Sequence, residues 1–509
     1  MVAPLRPALV FIGFMAAGKS TAALEAATAL GETAADTDEL LERELGTTIQ
    51  EYFDRHGEPA FRAAEQALVG ALLDRADGGV VALGGGAVLS ERTRAALRRH
   101  TVVLVDVDLE TAWSRAAGAG RPLARDRDAF ARLFAGRAAL YEDAADAIVP
   151  GTGDPHVVRR ALPALRAAPA GLTLLWATSA SGNYPVWIGE DAVARAPWPG
   201  AGRRFVVTDE TVAAAQPRAV GAAGAEAVIA IPPGERHKTL ATAERIWTAL
   251  VAAGATRGDH VAGVGGGVVG DLAGFCAATY QRGVPVVHVP TTIVAQVDSA
   301  YGGKTGVDLP EAKNYVGAYH QPAGVLVDPG LLATLPPEER AAGYAEVVKT
   351  ALIAGGPLWE RVAAGAPVDG AVVRACARTK LRVVAADERD GGLRQVLNLG
   401  HTVGHAIETT TGYARFRHGE AVGLGLLAAL RLSGQDALRA QVEDLLRAAG
   451  LPTRLDGADP EAVSAATSRD KKRVGADVPF VLVHAPGDVR HGASVDPGEL
   501  RAAVRELTA

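Results

Sequence analysis

The stretch from Ala8 to Thr21, ALVFIGFMAAGKST, constrains the fold of this chain more than any other part of its sequence. Residues 8–13 form an apolar run that ends in glycine, which predicts a buried strand followed by a tight turn. GFMAAGKST then matches the pattern G-x-x-x-x-G-K-[ST], and TAALEAATAL after it is typical of a helix. A strand, a glycine loop and a helix in this order predict a phosphate-binding loop in a parallel α/β sheet.

Residues of this loop have separate predicted tasks. Backbone N–H groups near Gly13 and Gly18 can curl around phosphate oxygens. The Lys19 ammonium can reach the β- and γ-phosphates of a nucleotide, and the Ser20 hydroxyl can ligate Mg²⁺. We therefore predict an ATP site that works with Mg²⁺. Its cofactor-binding residues are Gly13, Gly18, Lys19, Ser20 and Thr21.

Lysine is scarce in this chain. Of the 52 Lys and Arg residues only eight are Lys, and six of these lie after residue 300. An ammonium is compact and can transfer a proton, whereas a guanidinium is planar and stays charged. Each lysine is therefore a candidate for a task that Arg cannot perform. A cation-rich site in an acidic chain predicts a small anionic substrate with phosphate and carboxylate groups.

Charge and cysteine content argue against several classes of protein. The formal net charge of −6 argues against nucleic-acid binding. The two cysteines, Cys276 and Cys376, fit a reducing cytosol and exclude a disulfide scaffold or a thiolate zinc cluster. No run of residues has the length and apolar content of a transmembrane helix. We expect a cytoplasmic protein that acts on small molecules and has no nucleic-acid or membrane partner.

The order of strand-like and helix-like runs divides the chain. ALVFIG, VVALGGG and TVVLVDV are typical of strands, and a second α/β series runs from RRFVVTDE at residue 203 to GVLVDP at residue 324. Alternating strands and helices predict parallel sheets. Beyond residues 332–339 the pattern is mostly helical. We predict a P-loop unit at 1–165, a linker at 166–174, an α/β domain at 175–335 and a helical domain at 336–509.

Charged residues near the loop predict the acceptor of the first unit. DTDELLE places Asp36 and Asp38 directly after the next predicted strand, on the phosphate side of the sheet. Arg62, Arg137 and the arginine-rich stretch that begins at Arg121, which reads as a lid, can face a small site. Because guanidinium groups pair with carboxylates through two hydrogen bonds, a carboxylated substrate is predicted. Arg is abundant here, so each arginine alone is also compatible with a solvated position.

Residues 7–165 resemble the shikimate kinases. The resemblance rests on the phosphate loop and on DTD, GEPAFRAAE, LGGGAV, RPL and RAALYEDAAD. It implies a P-loop kinase with a parallel sheet covered by helices on both faces, and ATP-dependent phosphorylation of shikimate. The family usually continues RPL with Leu, and this chain has Ala124 there, which concerns the packing of the lid more than the chemistry.

The resemblance implies roles for individual kinase residues. Asp36 supports Mg²⁺ through water, and Asp38 holds the shikimate hydroxyls and accepts the proton of the attacking one. Arg62 and Arg137 hold the carboxylate. The lid residue that meets the phosphates and the residues that line the substrate site are Arg121, Gly84, Gly85 and Gly86. The implied catalytic residues are Lys19, Asp38 and Arg121.

A glycine-rich segment of the second unit is a weak nucleotide motif by itself. GGGVVG at 265–270 fits G-x-G-x-x-G, but it lies deep in its domain and lacks the usual later acidic residue. VTDE (207–210), PGERHK (233–238) and PTT (290–292) also lie at predicted strand ends. Because ligands of α/β sheets gather at the carboxyl ends of strands, these segments together predict a ligand site.

Two histidines four residues apart, His401 and His405 in LNLGHTVGHAIE, share one face of a predicted helix. A lone histidine is more often a core or surface residue than a ligand. Together with a further histidine and a helical glutamate, the pair is typical of a zinc site with two or three protein ligands. From spacing alone, His401, His405 and one further residue are the natural ligands.

From about residue 175 to its end, the chain resembles 3-dehydroquinate synthase. The resemblance rests on PGERHK, GGGVVGD, PTT, QVDSAYGGKTGVDLPEAKN, YAEVVKTAL, LNLGHTVGH and RHGEAVG. It implies a Rossmann-like, NAD-binding α/β domain followed by a mainly helical domain that binds metal and substrate. The implied ligands of Zn²⁺ or Co²⁺ are Glu346, His401 and His418, whereas His405 lies beside the substrate and positions it or moves protons.

The implied reaction converts 3-deoxy-arabino-heptulosonate 7-phosphate into 3-dehydroquinate. The metal lowers the pKa of a substrate alcohol, NAD⁺ takes a hydride, and the ketone allows phosphate to leave by β-elimination. The hydride then returns and an internal aldol reaction closes the carbocycle, so NAD acts as a catalyst.

The resemblance also assigns two ligand-binding sets. The residues implied to contact NAD are Asp209, Glu235, Lys238, Gly266, Gly267, Asp271, Thr291, Thr292 and Thr334. Those implied to contact substrate are Arg282, Asp298, Lys304, Lys313, Asn314, Lys349, Lys380, Arg394, Asn398 and His405, with Lys471 or Lys472. The implied catalytic residues are Lys304, Lys349, Lys380, Arg394 and His405. The family commonly has Glu where this chain has Asp390.

Other functions stay open for both units. The second unit could be another sugar-phosphate cyclase, although KN at 313–314 with His405 favours formation of dehydroquinate. A polyol dehydrogenase would not need as many phosphate-facing lysines. The first unit could bind nucleotide only and regulate the second. By analogy with the synthase family we expect a homodimer formed through the synthase unit.

Overall fold

The computed structural model of the protein describes residues 7–75, 78–117, 124–152, 154, 156–310, 312–467 and 479–508. Its chain forms two compact units. The first unit extends to Thr178 and includes Pro185–Trp187, and the second comprises Ser179–Tyr184 and the chain from Ile188 onward. The predicted linker at 166–174 overlaps a helix that ends at Arg166 and a strand that begins at Thr173. The finer division into four parts stays a prediction.

The first unit alternates strands with helices, as its apolar runs predict. Its elements are β1 (Leu9–Ile12), α1 (Lys19–Leu30), β2 (Ala34–Asp36), α2 (Thr37–Leu45), α3 (Ile49–Arg75), β3 (Val80–Ala82), α4 (Glu91–Leu97), β4 (Thr101–Asp106), α5 (Leu109–Ala116), α6 (Arg127–Ala144), β5 (Ala147–Pro150), α7 (His156–Arg166) and β6 (Thr173–Ser179). The strands pair in the order β2-β3-β1-β4-β5-β6, all in parallel. Parallel pairing places all the carboxyl ends of these strands at one edge of the sheet, where the phosphate loop lies.

Strand β7 (Gly182–Ile188) precedes a second set of parallel strands. The α/β part of the second unit contains α8 (Ala192–Arg195), β8 (Arg204–Asp209), α9 (Glu210–Ala215), α10 (Pro217–Ala222), β9 (Ala227–Ile231), α11 (Leu240–Ala252), β10 (His260–Gly265), α12 (Gly267–Thr279), β11 (Val286–Pro290), β12 (Lys304–Leu309), β13 (Ala312–Tyr319) and β14 (Gly324–Val327). Strands β14-β11-β10-β8-β9 pair in this order, again in parallel. Apolar side chains of α11 and α12, including Ile246, Leu250 and Leu272, form a buried core on this sheet.

Strands β12 and β13 form a separate antiparallel hairpin. The sequence did not predict these strands, because their run KTGVDL and AKNYVGAY mixes charged and apolar residues without strict alternation. The burial of β13 explains this pattern, since most of its residues are exposed or half-buried. The hairpin carries the predicted substrate residues Lys304, Lys313 and Asn314.

The rest of the second unit is mainly helical, as predicted. It contains α13 (Pro337–Ala354), α14 (Gly356–Ala363), α15 (Gly370–Ala386), α16 (His401–Thr410), α17 (His418–Leu432), α18 (Asp436–Ala448), α19 (Pro460–Thr467), β15 (Phe480–Ala485), β16 (Asp488–Ala493) and α20 (Pro497–Glu506). Helix α17 packs on both α13 and α16, so three helices that carry predicted metal ligands are neighbours. The α/β fold class with a P-loop unit, a Rossmann-like sheet and a helical part is thereby confirmed. No helix among the described residues combines the length and the hydropathy needed to cross a bilayer.

Candidate active sites

The phosphate loop of the first unit is shaped by two glycines. Gly13 has a φ of 150°, and a Cβ there would lie 2.7 Å from the carbonyl oxygen of Val105. Gly18 has a φ of 96° and precedes α1. Lys19 opens this helix, and its Nζ donates a hydrogen bond to the carbonyl oxygen of Phe14 at 3.1 Å, across the loop. The loop backbone is therefore curled in front of a helix N-terminus, an arrangement that suits phosphate.

Two acids follow β2 at the same edge of the sheet. Asp36 caps α2, and its carboxylate accepts a hydrogen bond from the backbone N–H of Asp38 at 2.9 Å. The Asp38 side chain extends toward Gly84, because a Cβ on Gly84 would lie 2.5 Å from Asp38 Oδ1. The same Cβ would lie 2.8 Å from Glu65 Oε1. Because Gly84 has no side chain, it leaves room for two carboxylates next to the end of β3.

The predicted carboxylate-binding arginines lie beside the other two glycines of this segment. Arg137 is 4% exposed, and its Nη1 donates to the carbonyl oxygen of Gly85 at 3.3 Å. A Cβ on Gly86 would overlap the guanidinium of Arg62. The structure thus brings Asp38, Arg62, Arg137 and Gly84–Gly86 together, whereas Arg121 lies outside the described residues.

Glu65 was not predicted from the sequence, and the structure places it among these groups. Its carboxylate lies 2.6 Å from Arg62 Nη1. Burial raises the pKa of Glu65, although Arg62 opposes this shift. Its position three residues after Arg62 in a helix was the available signal, since such residues face each other. A cavity of about 460 Å³ adjoins this pair, and its lining includes Glu58, Arg62, Glu65, Gln66 and Gly86.

In the second unit, the predicted NAD residues lie at the carboxyl ends of parallel strands. Asp209 ends β8 and caps α9. Gly266 follows β10, and a Cβ on it would lie 2.9 Å from Thr292 Cγ2 after β11. Gly267 opens α12. Thr334, in a short 3-10 helix that begins after β14, accepts a hydrogen bond from Gln216 at 2.6 Å.

Lys238 connects this nucleotide region to the β12–β13 hairpin. It is 3% exposed, and its Nζ lies 2.8 Å from Asp271 Oδ2 and 3.6 Å from Glu235 Oε1. The same ammonium donates a hydrogen bond to Asn314 Oδ1 at 2.6 Å. Burial lowers the pKa of Lys238, but the surrounding carboxylates outweigh it and raise the pKa above the usual range. A charged lysine therefore joins residues predicted to bind two different ligands.

Glu346, His401 and His418 converge from α13, α16 and α17. Glu346 Oε1 lies 3.5 Å from His401 Nε2 and 3.3 Å from His418 Nε2. One ligand atom of each residue lies within 4.8 Å of the others. Glu346 is 1% exposed. The three residues that the synthase resemblance implies as metal ligands thus form one cluster.

The hydrogen bonds of this cluster suit a cation. His401 Nδ1 lies 3.1 Å from the carbonyl oxygen of Leu399, which fixes the proton on Nδ1 and turns the Nε2 lone pair toward Glu346. Burial lowers the pKa of His401 well below its usual value, so this imidazole is neutral. Glu346 Oε1 has no hydrogen-bond partner among the described residues, whereas Oε2 lies 2.5 Å from Lys349 Nζ. Lone pairs that face one another around a buried point fit a divalent metal with nitrogen and oxygen ligands.

Buried lysines lie next to this cluster. Lys349, 1% exposed, is 2.5 Å from Glu346 Oε2 and 3.0 Å from Asp298 Oδ2. Lys380 also pairs with Asp298. Burial and Lys349 lower the pKa of Lys380, against the opposing effect of Asp298. An ammonium with a lowered pKa beside a candidate metal site suits proton transfer or binding of an anion.

The structure also describes the predicted substrate residues Arg394, Asn398 and Lys304. Arg394 is 1% exposed and donates to the carbonyl oxygens of Gly302 and Glu388, while its Nε has no partner among the described residues. Asn398 ends the short helix that begins five residues earlier. Lys304 lies 2.6 Å from Asp390 Oδ2, so the shorter acid at position 390 reaches this lysine.

His405 lies apart from Glu346 and joins a second group of side chains. Its ring centroid is 5.3 Å from that of His401, and its ligand atom groups with Glu408 and His418. Lys313 lies 3.6 Å from Glu408 Oε1. The spacing of His401 and His405 therefore did not identify the metal ligands. Only His401 of this pair belongs to the metal cluster, and the other two members come from other helices.

Arg282 is a predicted substrate residue that the structure does not bring into this group. Arg282 is exposed, with a φ of 67°, in the turn between α12 and β11. This turn is at the amino end of β11, so within one chain Arg282 is at the sheet edge opposite the site. Lys471 and Lys472 lie outside the described residues.

Comparison with known families matches both units. Residues 15–166 match the family model "Shikimate kinase". Residues 228–342 and 343–473 match the models "3-dehydroquinate synthase N-terminal" and "3-dehydroquinate synthase C-terminal". The chain is 44% identical to 3-dehydroquinate synthase of Halorhodospira halophila over 334 residues, which is 62% of this chain and 93% of that protein. It is 41% identical to the Symbiobacterium thermophilum synthase over 352 residues, 64% of this chain and 98% of that protein.

Solved structures with the same fold as the second unit bear other names. A 2-deoxy-scyllo-inosose synthase complexed with carbaglucose-6-phosphate, NAD⁺ and Co²⁺ is 26% identical, with a TM-score of 0.59, covering 66% of this chain and all of that chain. The 2-epi-5-epi-valiolone synthase of Streptomyces hygroscopicus, with NAD⁺ and Zn²⁺ bound, is 28% identical, with a TM-score of 0.58. The match covers 64% of this chain and 96% of that chain. The higher identity to 3-dehydroquinate synthases, over nearly the whole length of those enzymes, decides between these names. The chain therefore belongs to the 3-dehydroquinate synthase family, carries a shikimate kinase domain ahead of its synthase domains, and is a bifunctional enzyme of the shikimate pathway.

Proposed function

We propose that the first unit transfers the γ-phosphoryl group of ATP to the 3-hydroxyl of shikimate. We propose that the second converts 3-deoxy-arabino-heptulosonate 7-phosphate into 3-dehydroquinate and phosphate. The observation that carries the second proposal is the buried Glu346–His401–His418 cluster beside Lys349. A site with a candidate metal cluster, glycine-rich strand ends and several ammonium groups matches a phosphorylated polyol substrate.

In the kinase, the chain's own residues supply positioning and charge. Lys19 would neutralise the transferred phosphoryl group, and Ser20 with Asp36 would hold Mg²⁺, whose preferred ligands are oxygen atoms. Arg62 and Arg137 would pair with the shikimate carboxylate. Asp38, exposed beside Gly84, would orient the attacking hydroxyl and take its proton. The lid role of Arg121 stays a prediction.

In the synthase, Glu346, His401 and His418 would hold Zn²⁺ or Co²⁺. The bound metal supplies Lewis acidity toward a substrate alcohol, and NAD supplies a hydride acceptor. Lys349 and Lys380 would hold substrate oxygens and relay protons, and His405 would position the substrate beside the metal cluster. We propose that the residue sets predicted above contact NAD and substrate. Arg282 lies outside the site of its own chain.

The runner-up for the second unit is ring closure to a different carbocycle. It is favoured by one observation, the structural likeness to two synthases whose names give other products. The Lys313–Asn314 pair on β13 and His405 on α16 argue for dehydroquinate, as does the sequence identity of 44%.

The test of the proposed function is an assay of purified protein on both substrate sets. We expect phosphate release from heptulosonate phosphate with no net change in NAD, and ATP-dependent phosphorylation of shikimate. Treatment with 1,10-phenanthroline in excess Mg²⁺ should abolish the first activity and spare the second, and Zn²⁺ or Co²⁺ should restore it. Steady accumulation of NADH would instead indicate a dehydrogenase, and ATP binding without transfer to shikimate would indicate a regulatory unit.

We further propose that the enzyme acts in the cytosol as a homodimer formed through its synthase unit, without nucleic-acid or membrane partners. The two unpaired, buried cysteines support a reducing compartment. The dimer rests on the resemblance to the synthase family. Sedimentation of the full chain, compared with its mass of 52.3 kDa, tests it.

A further inference from the structure

Glu408 is a buried acid that the reaction described above does not use. It lies on α16, three residues after His405 and seven after His401, and is 3% exposed. Residues at these spacings lie on one face of a helix, so Glu408 faces the same region as both histidines. A carboxylate this deeply buried requires charged or hydrogen-bonding partners.

Each carboxylate oxygen of Glu408 has such a partner, and the two partners are predicted to contact different ligands. Oε2 lies 3.4 Å from His418 Nδ1, on α17. Oε1 lies 3.6 Å from Lys313 Nζ, on β13. His418 is a candidate metal ligand, and Lys313 is a candidate substrate contact. One side chain thus touches both halves of the site.

We propose that Glu408 is a positioning residue that orients His418 for the metal and holds Lys313 for the phosphorylated substrate. The proposal rests on the proposed function of the second unit. Glu408 touches neither ligand itself and acts through these two residues.

The contact with His418 decides which ring nitrogen faces the metal cluster. When neutral His418 donates its Nδ1 proton to this carboxylate, its lone pair is on Nε2, which lies 3.3 Å from Glu346 Oε1. A carboxylate behind a ligating histidine also increases the basicity of the ring. His401 has a neutral backbone carbonyl in the equivalent place, so the two histidines are supported differently.

A second cation is the competing explanation, because atoms of His405, Glu408 and His418 also lie within 4.8 Å of one another. That site would use His418 Nδ1 while Nε2 serves the first cluster, which requires a doubly deprotonated ring. The Lys313 ammonium already provides positive charge beside Glu408. The contacts therefore favour a positioning role with one metal ion per chain.

Binding of Co²⁺ to the full-length protein tests the metal half of the proposal. Competition with a chromogenic chelator should show Co²⁺ affinity lower by about tenfold to a hundredfold in Glu408→Gln, with a changed visible spectrum of the bound ion. Glu408→Asp, which keeps the charge, should recover part of the loss. The matched control is Glu443→Gln on α18, whose carboxylate pairs with the exposed Arg447, and it should bind Co²⁺ as the wild type does.

Steady-state kinetics test the substrate half. Lys313→Met should raise KM for heptulosonate phosphate and leave Co²⁺ affinity unchanged, whereas Glu408→Gln should change both. The double variant should lose less in KM than the sum of the two single effects, because the residues act as a pair. NAD affinity and thermal unfolding of each variant show whether the second unit is folded.

The outcomes separate this inference from the proposed function. Unchanged Co²⁺ affinity and spectrum in folded Glu408→Gln would overturn the positioning role, as would two Co²⁺ ions per wild-type chain with one lost in the variant. Additive effects on KM would overturn the link to Lys313. A wild-type chain that binds no Co²⁺ at all would instead contradict the proposed function itself.

Discussion

At the scale of single residues, Lys349 is the strongest test of the buried charge network. Its ammonium lies between Asp298 and Glu346 and is 1% exposed. Lys349→Met leaves two buried carboxylates without their cation, so we expect the free energy of unfolding of the second unit to fall by about 3–5 kcal/mol. Urea unfolding of the metal-free protein measures this change.

Lys304 is the matched control for that experiment. Its side chain is 48% exposed and pairs with Asp390 alone among the described residues. An exposed ion pair contributes at most about 1 kcal/mol, so Lys304→Met should unfold nearly as the wild type does. Equal destabilisation by both substitutions would contradict the difference in burial on which the network rests.

The cysteines give a prediction with a defined pH dependence. Burial raises the pKa of Cys276 to about 12 from an ordinary value of 9.0. The folded state therefore binds the thiol proton more tightly than the unfolded state, so this stabilisation is complete below pH 9 and is lost as pH rises toward 12. At pH 8 neither Cys276 nor Cys376 should react with Ellman's reagent until urea unfolds the chain. Rapid reaction of the native protein would show that these positions are accessible.

At the scale of elements, the glycine segment after β3 controls the kinase site. A Cβ on Gly84 would lie 2.5 Å from Asp38 Oδ1, so Gly84→Ala must displace the proposed catalytic acid. We expect kcat/KM for shikimate to fall by about a hundredfold, the usual effect of a small misplacement of a reacting group. Synthase activity should be unchanged.

Gly70→Ala on α3 is the control for this substitution. A Cβ there meets no atom within 4 Å, and alanine favours a helix by about 1 kcal/mol over glycine. Gly70→Ala should therefore keep full kinase activity and unfold at slightly higher urea concentration. A similar loss of activity in both variants would show that the effect of Gly84→Ala is not local.

Much of the architecture could be predicted from local sequence. The phosphate loop, the parallel strands and the helical region could be predicted because their sequence patterns depend on each element alone. The β12–β13 hairpin could not be predicted, because its mixed pattern reflects partial burial against other elements. Sheet order was also beyond the sequence, since it depends on contacts between distant segments.

The functional sites also contain residues that local sequence predicts and residues that it does not predict. The phosphate loop could be predicted because its residues are contiguous. His401 and His405 share a helix face, yet Glu346 contacts His401 and His418, and only the family resemblance separated the two histidines. Glu408 was missed because its partners become neighbours only when helices and strands pack, whereas the spacing of Glu65 from Arg62 was a local signal in one helix. Arg282 is the opposite case, because the family resemblance implies a substrate contact for a residue that lies in the turn before β11, and its role stays a prediction.

At the scale of the whole molecule, one chain carries two chemistries that we propose to be independent. Each unit has its own set of parallel strands and its own cluster of functional residues. The two reactions are not consecutive in the pathway, so channelling between them does not follow from their fusion. We therefore expect substitutions in one site to leave the other activity unchanged.

The most direct test of this independence measures both activities in each of three purified proteins, which are the wild type, Lys19→Ala and His401→Ala. Lys19→Ala should lose shikimate phosphorylation by roughly a hundredfold to a thousandfold, the cost of removing a group that stabilises transition-state charge, and keep phosphate release from heptulosonate phosphate. His401→Ala should lose phosphate release and keep the kinase. A wild type that lacks either activity, or a single substitution that abolishes both, would contradict the account.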